Sequence, residues 1–150
     1  MRAIDLSRTT AVKLLAMAVA AACLACGHDT PEQKLIQKAQ PVGSWLAALQ
    51  MAGEKWSANS VPDAFVRDSV AAARQSFSAA ARETAKSDAR AELRDRLRQL
   101  AAASRAAGAR LRHAVEAGDR PAALAESRRL AALHGEFLAI KAAAKPEAPR

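Results

Sequence analysis

Three arginines recur every seven residues in the second half of the chain: Arg98, Arg105 and Arg112. Arg94 extends this arginine band toward the amino terminus at helical spacing. Guanidinium groups stay charged at physiological pH, and their planar donors match phosphate oxygens. The band therefore predicts an anion-binding surface for lipid or glycan phosphates. The alternative is a solvated flank, whose aliphatic stems cover an apolar seam while the charges pair with acids on neighbouring helices.

Two tryptophans, Trp45 and Trp56, share one helical face with Leu49 and Ala52. Large aromatic side chains at this spacing are typical of residues that anchor a core. The alternative is an exposed aromatic patch that contacts a partner or a bilayer interface.

Both cysteines of the chain, Cys23 and Cys26, follow a basic stretch at 1–13 and an uncharged apolar run at 14–24. This order is typical of a secretory signal peptide, and the run is too short for a transmembrane helix. A cysteine after small residues at this point resembles the lipobox of bacterial lipoprotein precursors. The resemblance implies cleavage before Cys26 or Cys23 and lipidation of that cysteine. An ordinary signal peptide is the alternative.

The same resemblance implies a location. The residue after the lipidated cysteine would be Leu24 or Gly27, and neither is the aspartate that retains lipoproteins in the inner membrane. We therefore expect a protein of the cell envelope that faces the periplasm and is anchored to the outer membrane by its amino-terminal lipid. We expect residues 1–25 to form the signal peptide and residues 26–30 to form a tether.

The sequence lacks the residues that several kinds of chemistry require. The run from Cys23 to His28 misses the haem c attachment motif by one residue, and it falls within the signal region. No histidine pairs with another histidine or cysteine at helical ligand spacing, so we expect no metal and no cofactor. The glycines are isolated and no nucleophile motif occurs, so no catalytic residue is predicted and the protein is not expected to be an enzyme. An exported chain without nucleic-acid-binding motifs is not expected to bind nucleic acid.

The composition predicts helices. Of the 150 residues, 41 are alanine and none is tyrosine, which disfavours β-sandwiches and barrels. The net charge is +8, and residues 81–150 carry 15 basic and 9 acidic side chains.

Glycine, proline and capping residues divide the chain into four amphipathic segments. The first begins at Thr30 with a capping-box pattern, and Pro41 and Gly43 predict a kink or a short break within it. The third segment ends at Gly118, and Pro121 marks the start of the fourth segment.

The second and third segments have no glycine or proline between them, so residues 62–117 could form one helix. However, the stripes that begin at Val66 and Leu93 are about half a turn out of phase at 100° per residue. A turn over 84–89, with Ser87 or Asp88 as the next cap, removes this conflict. Gly108, near the seam of the third segment, is expected to permit close helix contact or a bend.

These patterns predict an all-α fold, an antiparallel four-helix bundle over residues 31–144 whose first helix is kinked near Pro41, followed by a disordered tail at 145–150. The leading functional hypothesis is a non-catalytic, membrane-anchored envelope lipoprotein, an interaction or scaffold module that binds an envelope protein through a helix face. The alternative is an envelope ligand-binding protein that uses the arginine band for anionic lipid or glycan phosphates.

Overall fold

A computed structural model describes residues 29–144, and this part of the chain is helical with no strand. The four helices are α1 (Pro31–Ser57), α2 (Asp63–Lys86), α3 (Ala91–Glu116) and α4 (Arg120–Ala143). Each helix packs against its neighbours in chain order, α4 closes the ring against α1, and α1 makes slight contact with α3 across the diagonal. Short connections at 58–62, 87–90 and 117–119 make consecutive helices antiparallel. The predicted four-helix bundle is confirmed.

Some predictions concern the ends of the chain. The predicted signal segment with Cys23, most of the predicted tether with Cys26 and the predicted tail at 145–150 lie outside the described residues. Among the four described helices, none is long and apolar enough to cross a membrane.

A local capping motif sets the start of helix α1, and the helix then continues through a proline and a glycine. The Thr30 hydroxyl accepts a 3.2 Å hydrogen bond from the Gln33 amide, and the Gln33 side chain accepts one of 2.9 Å from the Thr30 amide. The predicted capping box is thus confirmed. The helix then runs without interruption through Pro41 and Gly43, so a break does not occur there. Gly43 instead lies against the Phe137 ring, and a Cβ on it would come within 2.5 Å of that ring.

The turn between α2 and α3 is confirmed, but its capping differs from the prediction. Ser87 accepts a hydrogen bond from the Ala89 amide, and neither Ser87 nor Asp88 is the cap of α3. The cap position is Arg90, which makes no capping hydrogen bond with its own side chain. Its amide donates to Glu32 at 3.4 Å, so a carboxylate of α1 satisfies part of the α3 start.

The α3–α4 connection follows the sequence closely. Gly118 adopts φ +70°, a left-handed conformation that glycine adopts without strain. Its amide donates to the Val115 carbonyl and that of Asp119 to the Ala114 carbonyl, which together form a Schellman motif. The Asp119 side chain then caps α4 by accepting a 2.9 Å hydrogen bond from the Ala122 amide.

The core is formed by stripes from all four helices. Every residue of the predicted α2 and α3 stripes is buried, including Val66, Phe77 and Leu111. In α4, Phe137 and Ile140 are buried. Leu46 and Leu49 of α1 and Leu130 of α4 are also completely buried. Alanines and three small polar residues, Thr84, Ser104 and Ser127, complete the core. Each of these three hydroxyls donates to the carbonyl four residues earlier, so burial leaves none of the three without a partner.

Candidate functional site

A groove between α2 and α3 is the candidate site. It has a volume of about 310 Å³ and is open to solvent on one side. Its apolar lining comes from Leu49, Val70, Phe77 and the glycine at 108, and its charged lining comes from arginines. A volume near 300 Å³ is at the lower end of the range for small-molecule sites.

The floor of the groove is the outer boundary of the core. Leu49 is completely buried and Phe77 is 1 % exposed, so the groove reaches the layer where α1 meets α2 and α3. Gly108 opens this floor because it has no side chain. A Cβ there would lie 3.7 Å from both Leu49 Cδ1 and Val70 Cγ1, which is ordinary contact. Helix α3 is continuous through the buried Gly108, and a methyl group at this position would fit against Leu49 and Val70.

The rim carries three arginines, Arg74 from α2 and Arg105 and Arg112 from α3. Val70 and Gly108 lie at the same level. Because the two helices are antiparallel, Arg74 and Arg105 lie toward the same end of the groove, about 6 Å and about 4.5 Å along their helix axes from this level. Arg112 lies toward the other end.

The arginines differ in how their charge is compensated. The Arg112 Nε lies 2.7 Å from a Glu116 oxygen, and this hydrogen bond holds the pKa of the Glu116 carboxyl below its usual value. Arg74 and Arg105 form no ion pair with any residue in 29–144. Two guanidinium groups without a carboxylate partner therefore face one end of an apolar groove.

The predicted arginine band divides into two parts. Arg105 and Arg112 lie in the groove, whereas Arg98 pairs with Asp95 at 3.0 Å and does not line it. Arg94 is half-buried near the start of α3 and donates to the Ser87 carbonyl at 3.3 Å. Arg94 therefore joins the first turns of α3 to the α2–α3 connection.

The sequence reasoning missed Arg74. This residue follows Val70 by four positions and precedes Phe77 by three, so it flanks the α2 stripe as Arg105 flanks that of α3. That spacing was the available signal. The spacing identifies Arg74 as a site residue only once α2 and α3 are known to pair at the level of Val70 and Gly108.

The two tryptophans have different surroundings. Trp56 is 6 % exposed, and its indole nitrogen donates a 2.6 Å hydrogen bond to Asp63. Trp45 is half-buried and packs against the edge of the core. They therefore do not form one exposed aromatic patch.

Two other cavities contain both signs of charge. One has a volume of about 250 Å³ and places Lys34, Lys38 and Lys86 beside Glu83 and Asp88. The Lys38 ammonium lies 2.6 Å from the Glu83 carboxylate and lowers its pKa.

The other cavity, of about 170 Å³ where α3 begins and α4 ends, includes Glu92 beside Arg90 and Arg96. The α2–α3 groove is the one of these three whose lining has no acidic residue. It is therefore the best suited of the three to an anion.

The histidines do not contribute to a metal site in the described part of the chain. Within residues 29–144, no group of three or more His, Cys, Asp or Glu side chains is placed to hold a metal ion. His113 is exposed on α3 and His134 is half-buried on α4.

Comparison of the chain with protein-family models, with curated proteins and with solved structures finds no match in any of the three.

Proposed function

We propose that this protein is a non-catalytic binding protein of the bacterial cell envelope, anchored through lipidated Cys26 or Cys23, whose α2–α3 groove binds a ligand with an anionic phosphate. The observation that carries the proposal is a groove lined by three arginines and by no acidic side chain. Of the two hypotheses from the sequence, ligand binding has the stronger support.

The physical argument concerns uncompensated charge. A surface arginine beside a carboxylate gains little from an added anion, because the carboxylate already compensates its positive charge. Arg98 has such a partner in Asp95. Arg74 and Arg105 have none among the described residues, and their charges add at one end of the groove. A phosphate there would accept hydrogen bonds from two guanidinium groups at once.

The alternative, a scaffold module that contacts a protein through a helix face, has less support. The exposed large apolar side chains on the described helices are Met51, Phe65 and Leu138, each 50 to 59 % exposed. The contact between Gly43 and Phe137 sets the level of α1 against α4, and it puts Met51 and Leu138 about 13 to 14 Å apart along the bundle axis. Single exposed side chains are ordinary on a soluble surface.

A phosphate titration tests the binding proposal. The chain from residue 29 to 150 contains all four helices and the core they form among themselves, so it is the protein to label for NMR. Glycerol phosphate is the probe, and the amide shifts of α2 and α3 around the groove are followed. We expect saturable shifts there, and we expect affinity to fall as salt rises from about 0.01 to 0.15 M, since the screening length shortens from about 30 to about 8 Å.

Matched variants make the result specific. Arg105→Gln or Arg74→Gln should weaken binding by about tenfold, the loss expected for a hydrogen bond to a charged group. Arg98→Gln lies outside the groove on the same helix and should leave the affinity unchanged. Equal effects from all three variants, or no saturable shift at all, would rule out the groove as a phosphate site.

Anchoring needs its own test. Full-length protein from the membrane fraction of a bacterial host should carry an acyl mass increment on its amino-terminal peptide. Either Cys26→Ala or Cys23→Ala should remove that increment and release the protein, while the other substitution should leave both unchanged. A protein that is found in the soluble fraction without an acyl group would contradict the lipoprotein assignment.

A further inference from the structure

The groove has a second property that a phosphate alone would not use. Between the Arg74 and Arg105 end and Arg112, its lining is apolar: Val70, Ala71 and Ala109 lie around Gly108. A free phosphate or a glycan phosphate would leave the exposed alanines of this lining, Ala71 and Ala109, in contact with water. An occupant that uses both parts needs an anionic head and an apolar tail.

We infer that the occupant of the α2–α3 groove is a single-chain phosphate amphiphile, of the lysophospholipid or alkyl phosphate type, a conclusion that rests on the proposed function and specifies its ligand class. The head lies between Arg74 and Arg105. The alkyl chain lies along the floor over Gly108 toward Arg112.

The size of the groove agrees with a single chain. An enclosed apolar cavity of roughly 150 Å³ holds one benzene molecule. The groove has about 310 Å³, twice that volume, and part of it is taken by the polar rim. This is room for one alkyl segment of moderate length, whereas a second chain would have to lie outside the groove.

The charge arrangement sets the direction of the chain. Arg112 is paired with Glu116 at 2.7 Å, so the net positive charge is concentrated at the Arg74 and Arg105 end. An anionic head is therefore attracted to that end, and the tail is left to cover Val70, Ala109 and the lining beside Gly108. Gly108 is thus a specificity-determining position, since any longer side chain there would fill the tail site.

Binding of octyl phosphate, at concentrations below those where it forms micelles, tests this inference when compared with butyl phosphate and glycerol phosphate. Each methylene that leaves water should tighten binding by about fourfold. We expect octyl phosphate to bind much more tightly than glycerol phosphate. Octyl glucoside, which has the same tail without a charge, should bind far more weakly than octyl phosphate.

Two variants fill the tail site, and one serves as their control. Gly108→Leu and Ala109→Leu both add a side chain to the groove lining, while Ala106→Leu adds the same side chain to an exposed position of α3 outside the lining. Either of the first two should weaken octyl phosphate by tenfold or more and leave glycerol phosphate unchanged. Ala106→Leu should alter neither, and Ala109→Leu keeps the test decisive if Gly108→Leu does not fold.

The outcomes separate the two proposals. If glycerol phosphate and octyl phosphate bind equally and Gly108→Leu changes neither, the phosphate site stands and the amphiphile inference is wrong. If neither phosphate binds at the groove, the proposed function is wrong. If octyl phosphate and octyl glucoside bind equally and Arg105→Gln has no effect, the groove is merely apolar and both proposals are overturned.

Discussion

The indole Nε1 of Trp56 donates a 2.6 Å hydrogen bond to the carboxylate of Asp63, joining the last turn of α1 to the first residue of α2. Arg120, at the start of α4, lies over the same indole ring, 5.9 Å from its centroid, and donates to the Asn59 side chain. Asn59 has φ +59° and ends α1 in a Schellman arrangement. Both connections at this end of the bundle are therefore linked through one buried ring.

Removal of the acceptor at Asp63 should destabilise the protein. Asp63→Ala leaves the indole N–H of a side chain that is 6 % exposed without its partner, which costs about 1 to 3 kcal/mol. We expect the free energy of unfolding in urea to fall by that amount. The signal is Trp56 fluorescence, measured in a Trp45→Phe background so that one indole reports.

Asp63→Asn is the control for this prediction, because it keeps an acceptor oxygen and removes the charge. Asp63→Asn should keep most of the free energy of unfolding that Asp63→Ala loses. An equal loss in both variants would show that the charge of Asp63 at the start of α2, and not the hydrogen bond to Trp56, is what stabilises this end.

Gly43 and Gly135 should respond in opposite directions to the same substitution. A Cβ at Gly43 would come within 2.5 Å of two atoms of the buried Phe137 ring, so Gly43→Ala forces the ring or the helices apart at a cost of about 1 to 3 kcal/mol. Gly135 has nothing within 4 Å of such an atom, and Gly135→Ala should gain up to about 1 kcal/mol from helix propensity. Thermal unfolding of both variants checks this, and stabilisation by both would contradict the Gly43 contact.

Gly43 also shows which features of the fold can be predicted from the sequence and which cannot. The α3 stripe could be predicted because the spacing of Leu97, Leu100 and Leu111 depends on that helix alone. Gly43 beside Pro41 predicts a kink or a break by local rules, yet its neighbour in the fold is Phe137 on α4. Which helices pack together, and at which level along their axes, depends on tertiary packing and cannot be derived from the residue spacing within one helix.

The same limit applies to the candidate site. Arg105 and Arg112 belong to a band that the heptad spacing reveals. Arg74 becomes part of the site only through the pairing of α2 with α3, and Gly108 matters for the space it leaves there. A groove between two helices is formed by both, so the pattern of either helix alone could not predict it.

Acid should weaken the contact between α1 and α2. The hydrogen bond and charge of Lys38 hold the pKa of Glu83 below its usual value of 4.5 in the folded state. A lowered folded pKa means that the pair stabilises the protein above about pH 4.5 and that this contribution is lost as the pH falls through the folded value. We expect the urea midpoint to be level near neutral pH and to fall below about pH 5.

Glu83→Gln should flatten part of that acid-side fall, because the amide that replaces the carboxylate cannot take up a proton, and Lys38→Met should have a similar effect. Glu136→Gln, at an exposed position with no ion pair among the described residues, is the control and should leave the Glu83 contribution intact. The effect is small because both partners are solvent-exposed. An unchanged slope for Glu83→Gln would show that the ion pair with Lys38 does not persist in solution.

Gly53 and Ser127 should be energetically coupled. A Cβ at Gly53 would collide with the Ser127 hydroxyl and would lie 3.0 Å from Leu111 Cδ1, so α1 and α4 approach closely here because Gly53 has no side chain. Ser127 is fully buried, and its hydroxyl donates to the Ala123 carbonyl within its own helix. Gly53→Ala should therefore destabilise the protein by about 1 to 3 kcal/mol.

Ser127→Ala removes the atom with which the new methyl group would collide. Alone it should be nearly neutral, because the Ala123 carbonyl lies within α4, where a backbone amide also bonds to it, and alanine favours the helix. In the double variant it should recover a large part of the Gly53→Ala loss, with a coupling energy of about 0.5 to 3 kcal/mol in a double-mutant cycle from urea unfolding. Strict additivity would mean that the remaining contact with Leu111, and not the hydroxyl of Ser127, sets the distance between α1 and α4.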